Sequence, residues 1–182
     1  MTILIIVILL AVLFMIWLVT VQRKLVAMEE NIRNAMSQIG VQLSMCFDAM
    51  TMLLHTAEGY AADETRPLSE NVRSFRITVT ARSTPDQVQG QDRILSEVAE
   101  HLIAIAETYP DFKADKNYVR YMDTMGCYRK MVYTSCLIYN DTVAKYQRFV
   151  RMAPVNMVAA LLGFSRHGYL ESVEKGWVWP VK

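Results

Sequence analysis

Residues 25–60 of the chain read LVAMEENIRNAMSQIGVQLSMCFDAMTMLLHTAEGY, and this stretch decides the fold. It contains no proline, and its apolar residues recur in steps of three and four. This spacing is typical of a helix that packs lengthwise against other helices. The apolar stripe consists of Leu25, Met28, Ile32, Ala35, Ile39, Leu43, Cys46, Met50, Leu53, Ala57 and Tyr60. We therefore expect one long helix, followed by a turn at Gly59, Asp63 and Pro67.

An unbroken apolar run, Ile3 to Val21, precedes this helix and has Thr20 as its single polar residue. At about 1.5 Å per residue it covers roughly 28 Å, close to the ~30 Å hydrocarbon core of a bilayer. A cleaved secretory signal would have a basic residue before the run, a shorter apolar core and small residues at a cleavage site. None of these features is present. We therefore expect residues 2–21 to form a retained transmembrane helix that contacts the lipid bilayer through residues 3–21.

Trp17, Arg23 and Lys24 are the candidate membrane-interface residues. An indole ring favours the boundary between lipid and water, and basic residues after a span favour the cytoplasmic side. The three cysteines form neither a CxxC pair nor an even disulfide set, which fits a reducing compartment. These patterns predict a single-pass protein with its N-terminus outside and its C-terminal domain in the cytoplasm.

The rest of the chain also predicts helices. Leu68 to about Arg82 indicates a shorter helix, although β-branched residues near its end weaken this interpretation. Ser83 to Asp86 has the capping residue, the proline and the acid that typically begin a helix, and Pro110 ends that helix. Asp115 caps the last long helix, which ends before Pro154.

The C-terminal part predicts a short amphipathic helix at Asn156 to Leu162, closed by Gly163. The tail from Tyr169 to Lys182 has no helical period and contains Trp177 and Trp179. These two indoles either cap the bundle or contact another subunit, where tryptophan is enriched.

The helix lengths predict an architecture. Residues 22–60 form a rod of roughly 58 Å, and residues 115–151 one of roughly 55 Å. The two middle helices, stacked end to end, span a similar distance. The predicted fold is therefore all-α: the transmembrane helix continues into a long antiparallel bundle at residues 22–182. This bundle has three rods built from four long helices, with the C-terminal hairpin at the end away from the membrane.

Six parts of the chain, in order and covering nearly all of it, resemble the LemA family. They are Asn34–Leu43, Gly59–Ala61, Ala81–Ser83, Tyr109–Ala114, Tyr139–Val143 and Asn156–Phe164. The resemblance implies a bacterial inner-membrane protein, anchored by its N-terminus, with a cytoplasmic antiparallel helical domain and no established activity or cofactor. Members of the family are often considered beside membrane metalloproteases and envelope-stress functions.

The chain departs from the family pattern at a few positions. Ser44-Met45-Cys46 stands where the family has a basic cluster, and Arg129-Lys130 stands where an acidic–amide pair is expected. Cys136 replaces an expected arginine. We expect these departures to alter the surface charge that a partner recognises.

The sequence also argues against several functions. The net charge of +1 creates no field that would attract nucleic acid. No phosphate-binding loop, nucleophile elbow or HExxH motif occurs, and the histidines lack ligand spacing with the cysteines. We therefore predict no catalytic, cofactor-binding or metal-binding residues and no nucleic-acid partner.

Two functions remain. In the first, the thin bundle covers its apolar faces by self-association, as a non-enzymatic homo-oligomeric scaffold at the membrane. In the second, it is an adaptor for a membrane protein partner, such as a protease or an envelope-stress system.

Overall fold

The computed structural model describes residues 1–170, and no β-strand occurs in that range. The all-α prediction is confirmed. The helices are α1 (Thr2–Glu58), α2 (Ala62–Phe75), α3 (Pro85–Thr108), α4 (Pro110–Ala114), α5 (Lys116–Arg151) and α6 (Val155–Leu161).

α1 runs without a break from the apolar N-terminal run into the bundle. Its predicted stripe is buried with two exceptions: Met28 is half-buried and Tyr60 is exposed. Tyr60 lies beyond the end of α1, where its hydroxyl donates to the carboxylate of Asp115 at 2.8 Å. The spacing of apolar residues therefore predicted the buried face of this helix correctly.

The predicted starts of α3 and α5 are also confirmed. Thr84 forms a capping box with Gln87, in which each side chain accepts a hydrogen bond from the other residue's backbone N–H. The Asp115 carboxylate accepts from the N–H of Asn117 at 2.7 Å and caps α5. α3 ends at Thr108, just before Pro110.

The prediction of a helix from Leu68 to Arg82 is wrong at both ends. α2 begins earlier, at Ala62, and it ends at Phe75. Residues 76–80 are not helical, because Gln91 of α3 supplies the hydrogen bonds that a helix would have supplied. The Gln91 amide accepts from the N–H of Ile77 and donates to the carbonyl of Phe75, both at 2.9 Å.

The prediction that the two middle helices stack end to end is also wrong. α2 returns along α1, since Arg76 contacts Asp48 at 2.9 Å. α3 then reverses direction beside α2, because the Tyr109 hydroxyl at its end donates to Glu64 at 3.3 Å. The chain thus passes along the bundle four times, and the predicted set of three rods is corrected.

α5 is antiparallel to α1 and ends beside the apolar run. Asp115 at its start contacts Tyr60, and the Lys24 ammonium lies 4.6 Å from the centre of the Phe149 ring near its end. α6 follows directly and contacts α1. The C-terminal hairpin therefore lies at the near end of the bundle, where α1 leaves the apolar run, and not at the far end around Tyr60 as predicted.

Side chains of α5 that are spaced seven residues apart hold residues 165–170 against this helix. The hydroxyls of Tyr139 and Tyr146 donate to the carbonyls of Gly168 and Ser165. Asn140 exchanges two hydrogen bonds with the backbone of Leu170, at 2.8 and 2.9 Å. These side chains satisfy the backbone of a segment that has no helix or strand of its own.

Candidate membrane-contact site

The near end of the bundle marks a sharp change in how α1 is covered. From Thr2 to Ile16 every residue of α1 is exposed, Trp17 and Leu18 are half-buried, and Val21 is buried. Among residues 1–170, α1 is the single helix that is long and apolar enough to cross a membrane. The covered part of the molecule therefore begins within the last turns of the apolar run.

The three predicted interface residues lie at this change. Trp17 stacks on Phe14, with 5.8 Å between ring centres. Lys24 is exposed but reaches the Phe149 ring of α5, a cation–π contact. Arg23 is exposed. The structure therefore places all three side chains within two turns of each other, around the end of the apolar run.

α6 adds a feature that the sequence interpretation missed. The sequence predicts an amphipathic helix here, and the buried face of α6 consists of Val155, Val158 and Ala159. Its opposite face is also apolar, because Met157 is 68% exposed and Leu161 is 87% exposed. The signal was visible in the sequence, since Asn156 is the single polar residue between Val155 and Leu162.

The ends of α6 fix its position. Gly163 has φ +75, a conformation that favours glycine, and the N–H of Phe164 donates to the carbonyl of Ala159 at 3.0 Å. This is the Schellman arrangement, which ends the helix at its predicted place. The chain then turns back along α5, so that α6 stays at the near end.

Basic residues surround this apolar surface. The segments 1–28 and 143–170 contain no aspartate or glutamate. Their basic residues are Arg23, Lys24, Lys145, Arg148, Arg151 and Arg166. Since the whole chain has a net charge of only +1, the remainder has more acidic than basic residues, and the molecule is electrically polarised along its length.

A cleft of about 310 Å³ opens between the last turn of α5 and α6. Its lining consists of Val150, Arg151, Asn156, Ala160, Phe164 and Arg166. Arg151 makes a long hydrogen bond of 3.4 Å to Gln147. Among the described residues, no carboxylate pairs with either arginine of the cleft. The cleft therefore combines two guanidinium groups with apolar walls.

A second polar cluster lies inside the bundle. The guanidinium of Arg129 contacts the Asp92 carboxylate at 3.1 Å and donates to the Ser96 hydroxyl at 3.0 Å. Arg129 and Asp92 are 14% and 16% exposed. Burial raises the pKa of Asp92, and the charge of Arg129 opposes that rise.

Two cysteines lie within the electrostatic reach of this pair. Burial raises the pKa of Cys46 and of Cys136 to about 12 each, with Asp92 adding to both shifts. Arg129 lowers the pKa of Cys46, but burial outweighs this effect. At neutral pH both groups are thiols, which are poor nucleophiles and poor metal ligands.

The structure corrects one expectation about the departures from the family pattern. Cys46 and Cys136 are buried, and the charge of Arg129 is paired with Asp92. These three departures therefore fall in the interior, in one electrostatic neighbourhood, and do not change the surface. Ser44 is half-buried and accepts a hydrogen bond from Arg76 at 3.0 Å. Met45 and Lys130 are exposed.

Two further predictions concern other parts of the molecule. In the described part of the chain, no three histidine, cysteine, aspartate or glutamate side chains cluster in a way that could hold a metal ion. Trp177 and Trp179, the possible subunit contacts, lie outside the described residues.

The model of the LemA family matches residues 35–178. No curated protein matches the chain.

Proposed function

The chain belongs to the LemA family, and we propose that it is a membrane-anchored, non-enzymatic scaffold that assembles with copies of itself. Residues 3–21 of α1 cross the bacterial inner membrane, and the bundle lies on its cytoplasmic side. The exposed apolar run and the basic residues that follow it support this placement.

The observation that carries self-assembly is an apolar surface along the side of the bundle. Near the membrane, Asn34 and Gln38 of α1 line a cleft together with Ile138 of α5. Residues seven positions apart on one helix share the same face, because seven residues make about two turns. Going away from the membrane, this step adds seven to the residue number on α1 and subtracts seven on α5. This outer face then continues through Val41 and Met45 of α1 and Met131 of α5, with Met52 beyond them. Asp48, seven residues after Val41, lies on the same face and pairs with Arg76 of α2 at 2.9 Å.

These side chains are large and exposed. Val41 is 52% exposed, Met52 54% and Met131 44%. Exposed apolar side chains edged by polar residues commonly mark a protein–protein contact, and methionine adapts to irregular partners. A second copy would cover this face, and the two-dimensional confinement of anchored molecules would favour such contacts.

Other features support a role without catalysis. The buried thiols are protonated at neutral pH, and the Asp92–Arg129 pair is enclosed by the bundle. Neither offers a reactive group to a substrate. The acids at the far end serve the fold, since Asp115 caps α5 and Glu64 contacts Tyr109.

The test is the mass of the full chain extracted in detergent, measured by light scattering and imaged by negative stain. We expect a discrete multiple of the 20.9 kDa chain. Met45→Glu places a charge on the outer face and should reduce the mass to that of a smaller species. Val119→Glu is the control, because Val119 is 49% exposed on α5 but lies away from the outer face.

A discrete monomer at high concentration would contradict self-assembly. The second candidate function is the adaptor for a membrane protease or an envelope-stress system, in which a different protein covers the same face. The polar residues Asn31, Asn34 and Gln38 of that face favour this candidate, because transient interfaces are more polar than permanent ones. A stoichiometric second protein in extracts of native membranes, lost in Met45→Glu, would establish it.

A further inference from the structure

We propose that α6 and the cleft beside it form a second membrane-contact site, which sits in the headgroup layer and binds the phosphate of anionic phospholipids. The inference rests on the proposed anchoring by α1 and adds a lipid-binding site to it.

The outward face of α6 is apolar. Leu161 is 87% exposed and Met157 is 68% exposed, although the helix has an apolar face buried in the bundle as well. A helix that is apolar all round needs an apolar environment on both sides. The bundle provides that environment on one side alone, and the lipid acyl boundary can provide it on the other.

α6 lies at the end of the bundle where α1 leaves the apolar run. Trp17 and Val21 are covered, although they precede Arg23 in the apolar run. At about 1.5 Å per residue, Trp17 lies about 9 Å on the membrane side of Arg23. The headgroup layer on each side of a bilayer is roughly 5–8 Å thick. α6 contacts α1, and Phe149 before it lies against Lys24, so this end of the bundle lies at the depth of the lipid headgroups.

The near end of the bundle is basic. Segments 1–28 and 143–170, which form the near end, have six basic residues and no acidic residue. Lys145 pairs with Asp141 at 2.6 Å, which leaves five basic residues for the surface. The cytoplasmic surface of a membrane that contains anionic lipids attracts such groups. Helices that lie in the membrane interface usually have an apolar face with basic residues around it.

The cleft identifies the group that is bound. Arg151 and Arg166 line it together with Asn156, and guanidinium groups bind phosphate through two parallel hydrogen bonds. Phe164 and Ala160 provide apolar walls next to the exposed face of α6. A phospholipid could thus place its phosphate in the cleft and its acyl chains along Leu161.

The same charges argue against a second copy of this chain as the occupant. A symmetric dimer would bring identical surfaces together and place the basic residues of the two copies against each other. The acidic residues that could complement them on another copy, such as Asp63 and Glu64, lie at the far end of the bundle.

The first experiment measures depth. The full chain, with Cys127→Ser to remove the exposed thiol, is reconstituted in nanodiscs with a spin label at Leu161→Cys. Labels at Ile8→Cys and Val119→Cys are the lipid and water controls. We expect the label on α6 to be accessible to oxygen and protected from a water-soluble nickel complex, as Ile8→Cys is. A label as accessible to nickel as Val119→Cys would overturn the proposal, and so would protection from both reagents, which indicates a protein contact.

The second experiment measures lipid selectivity. Native mass spectrometry counts the phosphatidylglycerol molecules retained by the full chain from mixed phosphatidylglycerol and phosphatidylcholine micelles. Arg151→Gln with Arg166→Gln should reduce retention by roughly fivefold for each arginine, since a basic residue near an anionic surface contributes about that factor. Arg120→Gln on the start of α5 should leave retention unchanged. Equal retention in both variants, or loss of the lipid on adding millimolar inorganic phosphate, would contradict a lipid site.

Failure of this inference is distinguishable from failure of the proposed function. If α1 does not cross the membrane, the label at Ile8→Cys becomes accessible to water. If the chain does not self-assemble, the extracted protein has the mass of a monomer, but the depth of the Leu161→Cys label is unchanged.

Discussion

Gly40 shows how a single missing side chain positions a segment. A Cβ atom at Gly40 would overlap the backbone carbonyl of Val79, whereas one at Gly90 would meet nothing within 4 Å. Gly40→Ala should therefore lower the free energy of unfolding by about 1–3 kcal/mol, the usual cost of overpacking. Gly90→Ala should raise it by about 0.5–1 kcal/mol, because alanine favours the helix. Thermal unfolding of the full chain in one detergent measures both, and an equal response of the two variants would contradict the close approach.

The Asp92–Arg129 pair gives a pH-dependent prediction. Arg129→Met leaves a buried carboxylate without its partner, which should cost about 3–5 kcal/mol at pH 8. Burial already raises the pKa of Asp92, and removing Arg129 raises it further. The cost is present in full above that raised pKa and decreases as the pH falls through it, because the neutral acid needs no cation.

Denaturation curves of wild type and Arg129→Met at pH 5 and pH 8 test this sign. The difference between the two proteins should be smaller at pH 5. Arg129→Met combined with Asp92→Asn is the control and should show no such pH dependence. A difference that is equal at both pH values would mean that Asp92 does not need Arg129.

Residue types predicted much of the interior but not its polar contacts. The stripe of α1 could be predicted because burial follows helical spacing. The partners of Arg129 and Gln91 come from other helices, and spacing along one helix cannot reveal them. For this reason the charge of Arg129 was expected to alter the surface, whereas it is paired with Asp92 inside the bundle.

At the scale of elements, the link between α2 and α3 depends on Gln91. This side chain is 3% exposed and satisfies two backbone groups of the non-helical segment 76–80. Gln91→Leu would remove the hydrogen bonds to the N–H of Ile77 and the carbonyl of Phe75, each of which contributes about 0.5–1.5 kcal/mol. Limited proteolysis should then cleave the chain near residues 76–84 faster than in the wild type.

Gln89→Leu is the control for this change, since Gln89 is on the same helix and half-buried. Unchanged proteolysis in Gln91→Leu would show that the 76–80 segment is held by packing alone, through Val79 against α1.

The presence of the helices could be predicted from the sequence, but their directions in the bundle could not. Caps at Thr84 and Asp115 are local signals, and the structure contains both. Lengths alone fit either an end-to-end or a side-by-side arrangement of α2 and α3. The extended link decides between them, and it depends on a hydrogen bond between residues 14 positions apart. The position of α6 at the near end follows from the same reversal.

At the scale of the whole molecule, the exposed cysteine tests the side of the membrane on which the bundle lies. Cys127 is exposed, while Cys46 and Cys136 are buried thiols with a pKa of about 12. A membrane-impermeant maleimide should label Cys127 in permeabilised spheroplasts and not in intact ones. Thr2→Cys, at the opposite end of the apolar run, should react in intact spheroplasts. Labelling of Cys127 before permeabilisation would place the bundle outside.

The polarised charge of the molecule agrees with this placement. The basic near end would face anionic lipid, and the more acidic remainder would extend into solution, where the outer face of α1 and α5 is free to meet another copy. The proposed attachment, lipid binding and assembly would thus use three different surfaces, which single substitutions can separate.

The most direct test of the account is the intact mass of the chain recovered from membranes washed with alkaline carbonate. Retention of α1 as an anchor predicts that the chain stays in the membrane pellet with residues 1–20 still attached, near 20.9 kDa. A chain that begins after Thr20, or one that the carbonate wash releases, would contradict the membrane anchor and the proposals that depend on it.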